Sequence, residues 1–159
     1  MAQHSSLTGS DLHEPKGAST ASSGEVYVAD GAGSGSWQNP LGTVSNLNSY
    51  DLNGLIDDVS TTGSSVYFRV ARNSVLTNVF LVLSGALSGS DSELSLYRDG
   101  ILLGQSISLP VAGSGDGVKL TKNLSPTYTF TEGQVLKIET NGASTNAVKA
   151  FLTCKFTAG

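Results

Sequence analysis

From about residue 55 onward the chain is a succession of short segments in which apolar and polar residues alternate. A period of two is typical of a β-strand with one buried face. Serine, glycine, threonine and asparagine make up 66 of the 159 residues, a composition that suits strands and turns and disfavours long helices. The predicted strands cover 66–71, 75–83, 93–98, 101–109, 118–121, 127–131, 134–140 and 147–157, with one more near 55–59.

This number of strands predicts an all-β protein, an antiparallel β-sandwich whose leading form is a jelly roll. An immunoglobulin-like sandwich is the alternative. The pair Asp99-Gly100 is the strongest hairpin signal, because a type I′ turn needs positive φ at both central residues. Asn141-Gly142 is a second candidate for such a turn.

The last two strand patterns also predict which side chains enter the core. In 134–140, Leu136 and Ile138 share one face. In the final strand the predicted inward residues are Val148, Ala150, Leu152 and Cys154. Cys154, the single cysteine, is therefore expected to pack as a small apolar residue.

Residues 1–40 differ from the rest of the chain. Their apolar residues are scattered among Gly, Ser and Ala, and too few are present to offset the entropy of ordering the segment alone. We predict an extended arm over 1–40 that orders on a partner, with a disordered tail as the alternative. A linker over 41–54 and a β domain over 55–159 follow. Residues 1–58 carry a net charge of −6, and the remainder carries +2.

The residues that could perform chemistry predict no enzyme, cofactor or metal site. Both histidines, His4 and His13, lie in the predicted arm, so a Ser/His/Asp triad would need its base from a segment that cannot fold alone. Asp11, His13 and Glu14 are close in sequence, but a segment that cannot fold alone does not offer a preformed cage. The adjacent Asp57-Asp58, if on a strand, point to opposite faces and cannot act as a pair.

The overall charge and hydropathy exclude further partners. A net charge of −4 makes nucleic acid an unsuitable partner, and no apolar run is long enough for a transmembrane helix. Exposed aromatic residues could form a lectin site, but most of them lie within strand patterns. They are therefore expected in core or interface packing: Trp37, Tyr50, Tyr67, Tyr97 and Tyr128.

The N-terminal segments LTGSDLHEPKGA at 7–18, GEVYVADG at 24–31 and GSGSW at 33–37 resemble a segment of tailed-bacteriophage virion proteins. The similar proteins are small head-decoration, head-fibre and tail-associated proteins. The resemblance covers about 30 residues, roughly a fifth of the chain.

The resemblance implies a capsid decoration, or cement, protein on the outer capsid surface of a virion. It also implies a homotrimer that binds the major capsid protein or another virion protein. The alternative is a head-fibre or tail-fibre module whose β domain binds a host receptor or surface glycan. The implied capsid-binding residues are Leu12, His13, Glu14, Pro15, Lys16, Val26, Tyr27, Val28 and Trp37.

Overall fold

The computed structural model describes residues 21–32, 35–39 and 49–158. The chain divides into two compact units, Met1–Asn48 and Ser49–Gly159. The described part of the first unit holds an antiparallel hairpin of β1 (Val26–Ala29) and β2 (Gly35–Gln38).

The second unit is a sandwich of two antiparallel four-stranded sheets. The first sheet has the order β3-β10-β5-β8, and the second has the order β4-β9-β6-β7. The strands are β3 (Ser49–Ile56), β4 (Ser65–Arg69), β5 (Ser74–Gly85), β6 (Ser92–Arg98), β7 (Ile101–Leu109), β8 (Gly115–Phe130), β9 (Val135–Thr140) and β10 (Ala150–Ala158).

This strand order confirms the predicted jelly roll. When only the eight strands of the sandwich are counted, from one to eight in chain order, the strand order is 1-8-3-6 in the first sheet and 2-7-4-5 in the second. That order belongs to two interlocked Greek keys, whereas an immunoglobulin-like sandwich pairs its strands differently. The strand expected near 55–59 lies earlier, at Ser49–Ile56, so it includes part of the stretch predicted as a linker.

The core lies between the two sheets and follows the predicted alternation. Leu136 and Ile138 of β9 are fully buried, and so is Cys154 of β10. One end of the core is aromatic, because Phe156 stacks on Tyr50 and meets the edge of Phe130. Other fully buried side chains come from both sheets: Ile56, Leu76, Val79, Leu94, Leu96 and Leu109.

Gly54 of β3 is required by a close approach between the sheets. It lies opposite Leu152 and therefore faces inward. A Cβ at this position would lie 2.6 Å from Cζ of Phe68, which belongs to the facing sheet. The ring of Phe68 fills the space that a side chain at Gly54 would need.

The turn predictions have different outcomes. Asp99 and Gly100 both have positive φ, 48° and 82°, which confirms the primed hairpin between β6 and β7. The prediction for Asn141-Gly142 is wrong, since Asn141 does not have positive φ and residues 141–149 cross from the second sheet to the first.

The two short strands predicted at 118–121 and 127–131 are one edge strand, β8. Its pairing with β5 shifts between Asn123 and Tyr128, so Pro126 lies in an irregular stretch where no ladder hydrogen bond is required. Proline is tolerated at such edge positions, and its presence there does not end the strand.

Candidate functional site

The predicted capsid-binding residues fall into two groups. Leu12, His13, Glu14, Pro15 and Lys16 lie outside the described residues. The remaining four belong to the β1–β2 hairpin: Val26, Tyr27 and Val28 in β1, and Trp37 in β2.

The hairpin is held by an aromatic pair across its strands. Tyr27 lies directly opposite Trp37, and the two ring centroids are 5.5 Å apart in an edge-to-face arrangement. Such pairs contribute about 0.5–1.5 kcal/mol beyond their buried area. Val26 remains half exposed at the start of β1.

The sequence predicts that Val26, Tyr27 and Val28 add a strand to the exposed edge of a partner. In the structure this segment already pairs along one edge with β2. Strand addition to a partner would therefore use the other edge of β1, which pairs with no other described strand.

The outer surface of the first sheet carries four neighbouring apolar residues, here called the apolar face: Leu55, Phe80, Val82 and Phe151. Phe151 lies opposite Leu55 on one side and opposite Val82 on the other. Phe151 is 49% exposed, and Leu55 and Phe80 are each 38% exposed. The face brings together side chains from three strands that are remote in sequence.

The apolar face is bordered by polar pairs. Thr153 Oγ1 donates to Asn53 Oδ1 at 2.6 Å, and Asn78 Nδ2 donates to Asn123 Oδ1 at 2.6 Å. An apolar centre within a polar rim is the usual anatomy of a protein–protein interface.

The outer surface of the second sheet carries a different set of residues, here called the tyrosine row. Tyr67, Lys137, Tyr97 and Leu102 lie side by side on four neighbouring strands. Tyr67 is 63% exposed, so of the two placements expected for this ring, core or interface, the core is excluded.

Lys137 occupies the centre of the tyrosine row and has two partners. Its ammonium forms an ion pair with Glu139 and lies 4.9 Å from the ring centroid of Tyr97. The hydrogen bond to Glu139 is the main reason that the pKa of Lys137 is raised above its usual value. Lys137 is therefore a fixed cation whose charge is balanced beside it.

Asp57 and Asp58 do not lie on a strand, and each carboxylate has its own hydrogen-bond partner. Both follow β3, where Asp57 Oδ1 accepts from Lys149 Nζ at 2.8 Å. Asp58 accepts from the hydroxyl of Ser60 at 2.7 Å and from its backbone N–H at 2.8 Å. These bonds lower the pKa of Asp58 and fix the turn.

No group of three or more His, Cys, Asp or Glu side chains in the described ranges is placed to hold a metal ion. The trio Asp11, His13 and Glu14 lies outside those ranges. Among the residues that the structure describes, no helix is long and apolar enough to cross a membrane.

Cys154 is fully buried in β10, and burial raises its pKa to about 12, with a further contribution from the charge of Asp51. We predict that the native thiol resists iodoacetamide at about pH 8, because the reactive thiolate is rare and the reagent cannot reach it. The check is mass-spectrometric labelling with and without guanidinium. Equal labelling rates in the folded and unfolded protein would contradict the prediction.

Solved structures with a similar arrangement include three proteins of different kinds. One is an acid-stable capsid structure of Helicobacter pylori bacteriophage KHP30, with 18% identity over 69% of this chain and 86% of that chain, and a TM-score of 0.46. Another is a family 35 carbohydrate-binding module from Clostridium thermocellum, with 10% identity over 86% of this chain and 89% of that one, and a TM-score of 0.44.

The third is a beta-glucosidase from Paenibacillus barengoltzii, with 16% identity over 66% of this chain and a TM-score of 0.44. This chain spans only 10% of the length of that enzyme. Because these sequence identities and TM-scores are low, the jelly-roll assignment is based on the strand order and not on the similar structures. No protein-family model matches the sequence, and no curated protein matches it.

Proposed function

We propose that this protein is a structural component of a tailed-bacteriophage virion that decorates and stabilises the outer capsid surface. In this proposal the N-terminal arm binds the major capsid protein or another virion protein, and the jelly roll projects outward. The observation that carries the proposal is the N-terminal similarity to phage head-decoration and head-fibre proteins over 7–18, 24–31 and 33–37.

The structure of the hairpin supports the proposal that the N-terminal arm is the part that binds a virion protein. An isolated two-stranded hairpin is marginally stable in water, and further strands or packing normally complete it. Two of the residues in the similar segment, Tyr27 and Trp37, form the aromatic pair that shapes the hairpin. Aromatic side chains supply much of the energy of protein interfaces. A capsid surface that covers this pair would stabilise the hairpin as it binds.

The proposed mechanism is mechanical and needs no catalysis. Each copy adds contacts across neighbouring capsid subunits, which raises the free energy needed to separate them. The acidic balance of residues 1–58 suits a basic patch on the receiving protein.

A homotrimer is part of the same proposal. The apolar face gives each copy a sheet surface with Phe151 at its centre, and burying it around a threefold axis would supplement the core of a small sandwich. Burial of this face in the trimer would stabilise the folded protein, because only folded copies can associate through it.

The test uses capsids of the parent phage from which this protein has been removed. We expect the full chain to rebind, and Tyr27→Ala or Trp37→Ala to weaken binding by about tenfold or more, since each removes an aromatic anchor. Bound protein is measured after sedimentation of the capsids. Tyr67→Ala is the matched control, because it truncates an exposed aromatic residue in the other unit.

Two results would count against the proposal. Full binding by both hairpin variants would show that Tyr27 and Trp37 are not anchors. Failure of the unaltered protein to bind any capsid would overturn the decoration role itself.

A head-fibre or tail-fibre module is the second candidate function. It is favoured by the tyrosine row, since an exposed row of this kind has no evident use in a protein that only reinforces a shell. Copy number separates the two candidates, because a decoration protein covers the capsid lattice and a fibre occurs at few positions.

A further inference from the structure

We propose that the outer surface of the second sheet binds a neutral, extended, β-linked oligosaccharide that lies across the strands along the tyrosine row. This inference goes beyond the decoration role and does not depend on it. It would also give a ligand class to the fibre alternative.

The first support is the spacing of the aromatic rings. Tyr67 lies on β4 and Tyr97 on β6, with β9 between them. Neighbouring strands are about 4.8 Å apart, so these two positions are roughly 9.5 Å apart. Successive sugars of an extended β-1,4-linked chain alternate in orientation, and equivalent faces recur over a comparable distance.

The second support is a line of hydrogen-bonding groups beside the row. Ser65, Glu139, Ser95 and Ser106 lie next to one another on the same four strands. The side chains of Ser95 and Ser106 make no hydrogen bond to the described part of the chain. A sugar needs an apolar surface for its C–H groups and polar groups for its hydroxyls, and this surface provides both.

A shallow recess marks one end of this surface. It has a volume of about 160 Å³ and lies where β6 and β7 lose their regular pairing. Leu102 forms an apolar side, and polar lining comes from Glu93, Ser95, Gln105 and Ser106.

The third support is the charge balance of the surface. Outward positions of the second sheet carry two cations, Arg69 and Lys137, and two carboxylates, Glu93 and Glu139. Lys137 and Glu139 neutralise each other directly. A balanced surface offers no net attraction to an acidic polysaccharide, whereas its donors and acceptors fit uncharged hydroxyl groups.

Lys137 and Glu139 are also held in position before a ligand arrives. The ammonium contacts both Glu139 and the ring of Tyr97, and the side chains of the ion pair are about a quarter exposed. A preorganised donor and acceptor at the centre of the row lose little conformational entropy on binding.

The experiment is calorimetric titration of the full-length protein with cellohexaose, xylohexaose and β-1,4-mannohexaose, with oligogalacturonate as an acidic comparison. We expect binding of at least one neutral hexaose. Tyr67→Ala and Tyr97→Ala should each weaken it by about tenfold or more, and Tyr67→Phe should retain it because the ring remains.

Ile101→Ala is the matched control, since this residue is 68% exposed at the β6–β7 hairpin but lies outside the row. Circular dichroism verifies that each variant is folded. The inference is overturned if millimolar neutral hexaoses give no binding, if Tyr67→Ala binds as well as the unaltered protein, or if oligogalacturonate is preferred. A change of molar mass in Tyr67→Ala would instead assign the row to contact with a second copy.

This test and the capsid test fail separately. Loss of oligosaccharide binding in Tyr67→Ala with normal capsid binding supports the inference, and the capsid assay with Tyr27→Ala reports only on the proposed function. A protein that binds capsids but no neutral hexaose would keep its decoration role and lose this inference.

Discussion

Replacing Phe156 by alanine is expected to lower the free energy of unfolding by about 3–5 kcal/mol. Phe156 is fully buried, its ring stacks on Tyr50 at 5.2 Å, and it meets Phe130 edge-to-face at 5.7 Å. The truncation therefore removes a large buried ring and leaves a cavity between two others. The total free energy of unfolding of a domain is roughly 5–15 kcal/mol, so the expected loss is a large fraction of it.

The measurement is chemical denaturation followed by fluorescence and circular dichroism. Tyr67→Ala is the matched control, because it also truncates an aromatic residue but on an exposed surface, where changes stay within about 0.5 kcal/mol. Similar losses in the two variants would contradict the packing described for this end of the core. A Phe156→Ala protein too unstable to purify is consistent with the prediction, and Phe156→Leu then provides the measurable, smaller loss.

The second large effect is expected at the apolar face. The proposed trimer should dissociate to monomers when Phe151 is replaced by aspartate, because an unpaired carboxylate would be buried at every contact. We expect the association to weaken by more than tenfold per contact. Light scattering coupled to size-exclusion chromatography checks this, with a mass near three times 16.3 kDa expected for the unaltered protein.

Ile101→Asp is the control for that experiment. It introduces the same charge at a highly exposed apolar position outside the apolar face, and the trimer mass should persist. A Phe151→Asp variant that remains trimeric would remove the apolar face from the contact. If the unaltered protein is a monomer, the proposed trimer does not form in solution.

Local features of the fold were predictable because they depend on residues close in sequence. The alternation in β9 and β10 identified their buried faces, since one side of each strand must leave water. The Asp99-Gly100 turn was predictable for the same reason, because its backbone angles suit those two residues.

The pairing of distant strands was not predictable from such local signals. Asn141-Gly142 has the composition of a hairpin turn, yet the next strand, β10, pairs with β3 and β5 in the first sheet. The burial of β10 between these two strands outweighs the turn preference of Asn141 and Gly142. Nothing near Gly54 in the sequence indicates that Phe68 of the facing sheet occupies its side-chain space.

The outward orientation of Tyr67 in the tyrosine row was predictable from the sequence of β4. In β4, Tyr67 and Phe68 are adjacent aromatic residues, and either one could face the core. Residues two apart in a strand share a face, so Tyr67 and Arg69 lie on the same side of β4. Because the charged Arg69 faces solvent, Tyr67 is expected to point outward as well. The neighbours of Tyr67 across the sheet, Lys137 and Tyr97, depend on the strand order and were not predictable.

The most direct test of the decoration role is the amount of this protein in purified particles of its phage, measured by quantitative mass spectrometry relative to the major capsid protein. A decoration protein must be present in a fixed ratio to the capsid lattice, so the predicted result is a high, constant ratio close to the number of capsid sites. A ratio corresponding to a few copies per particle would contradict decoration and support a fibre. Absence from the particle would contradict both.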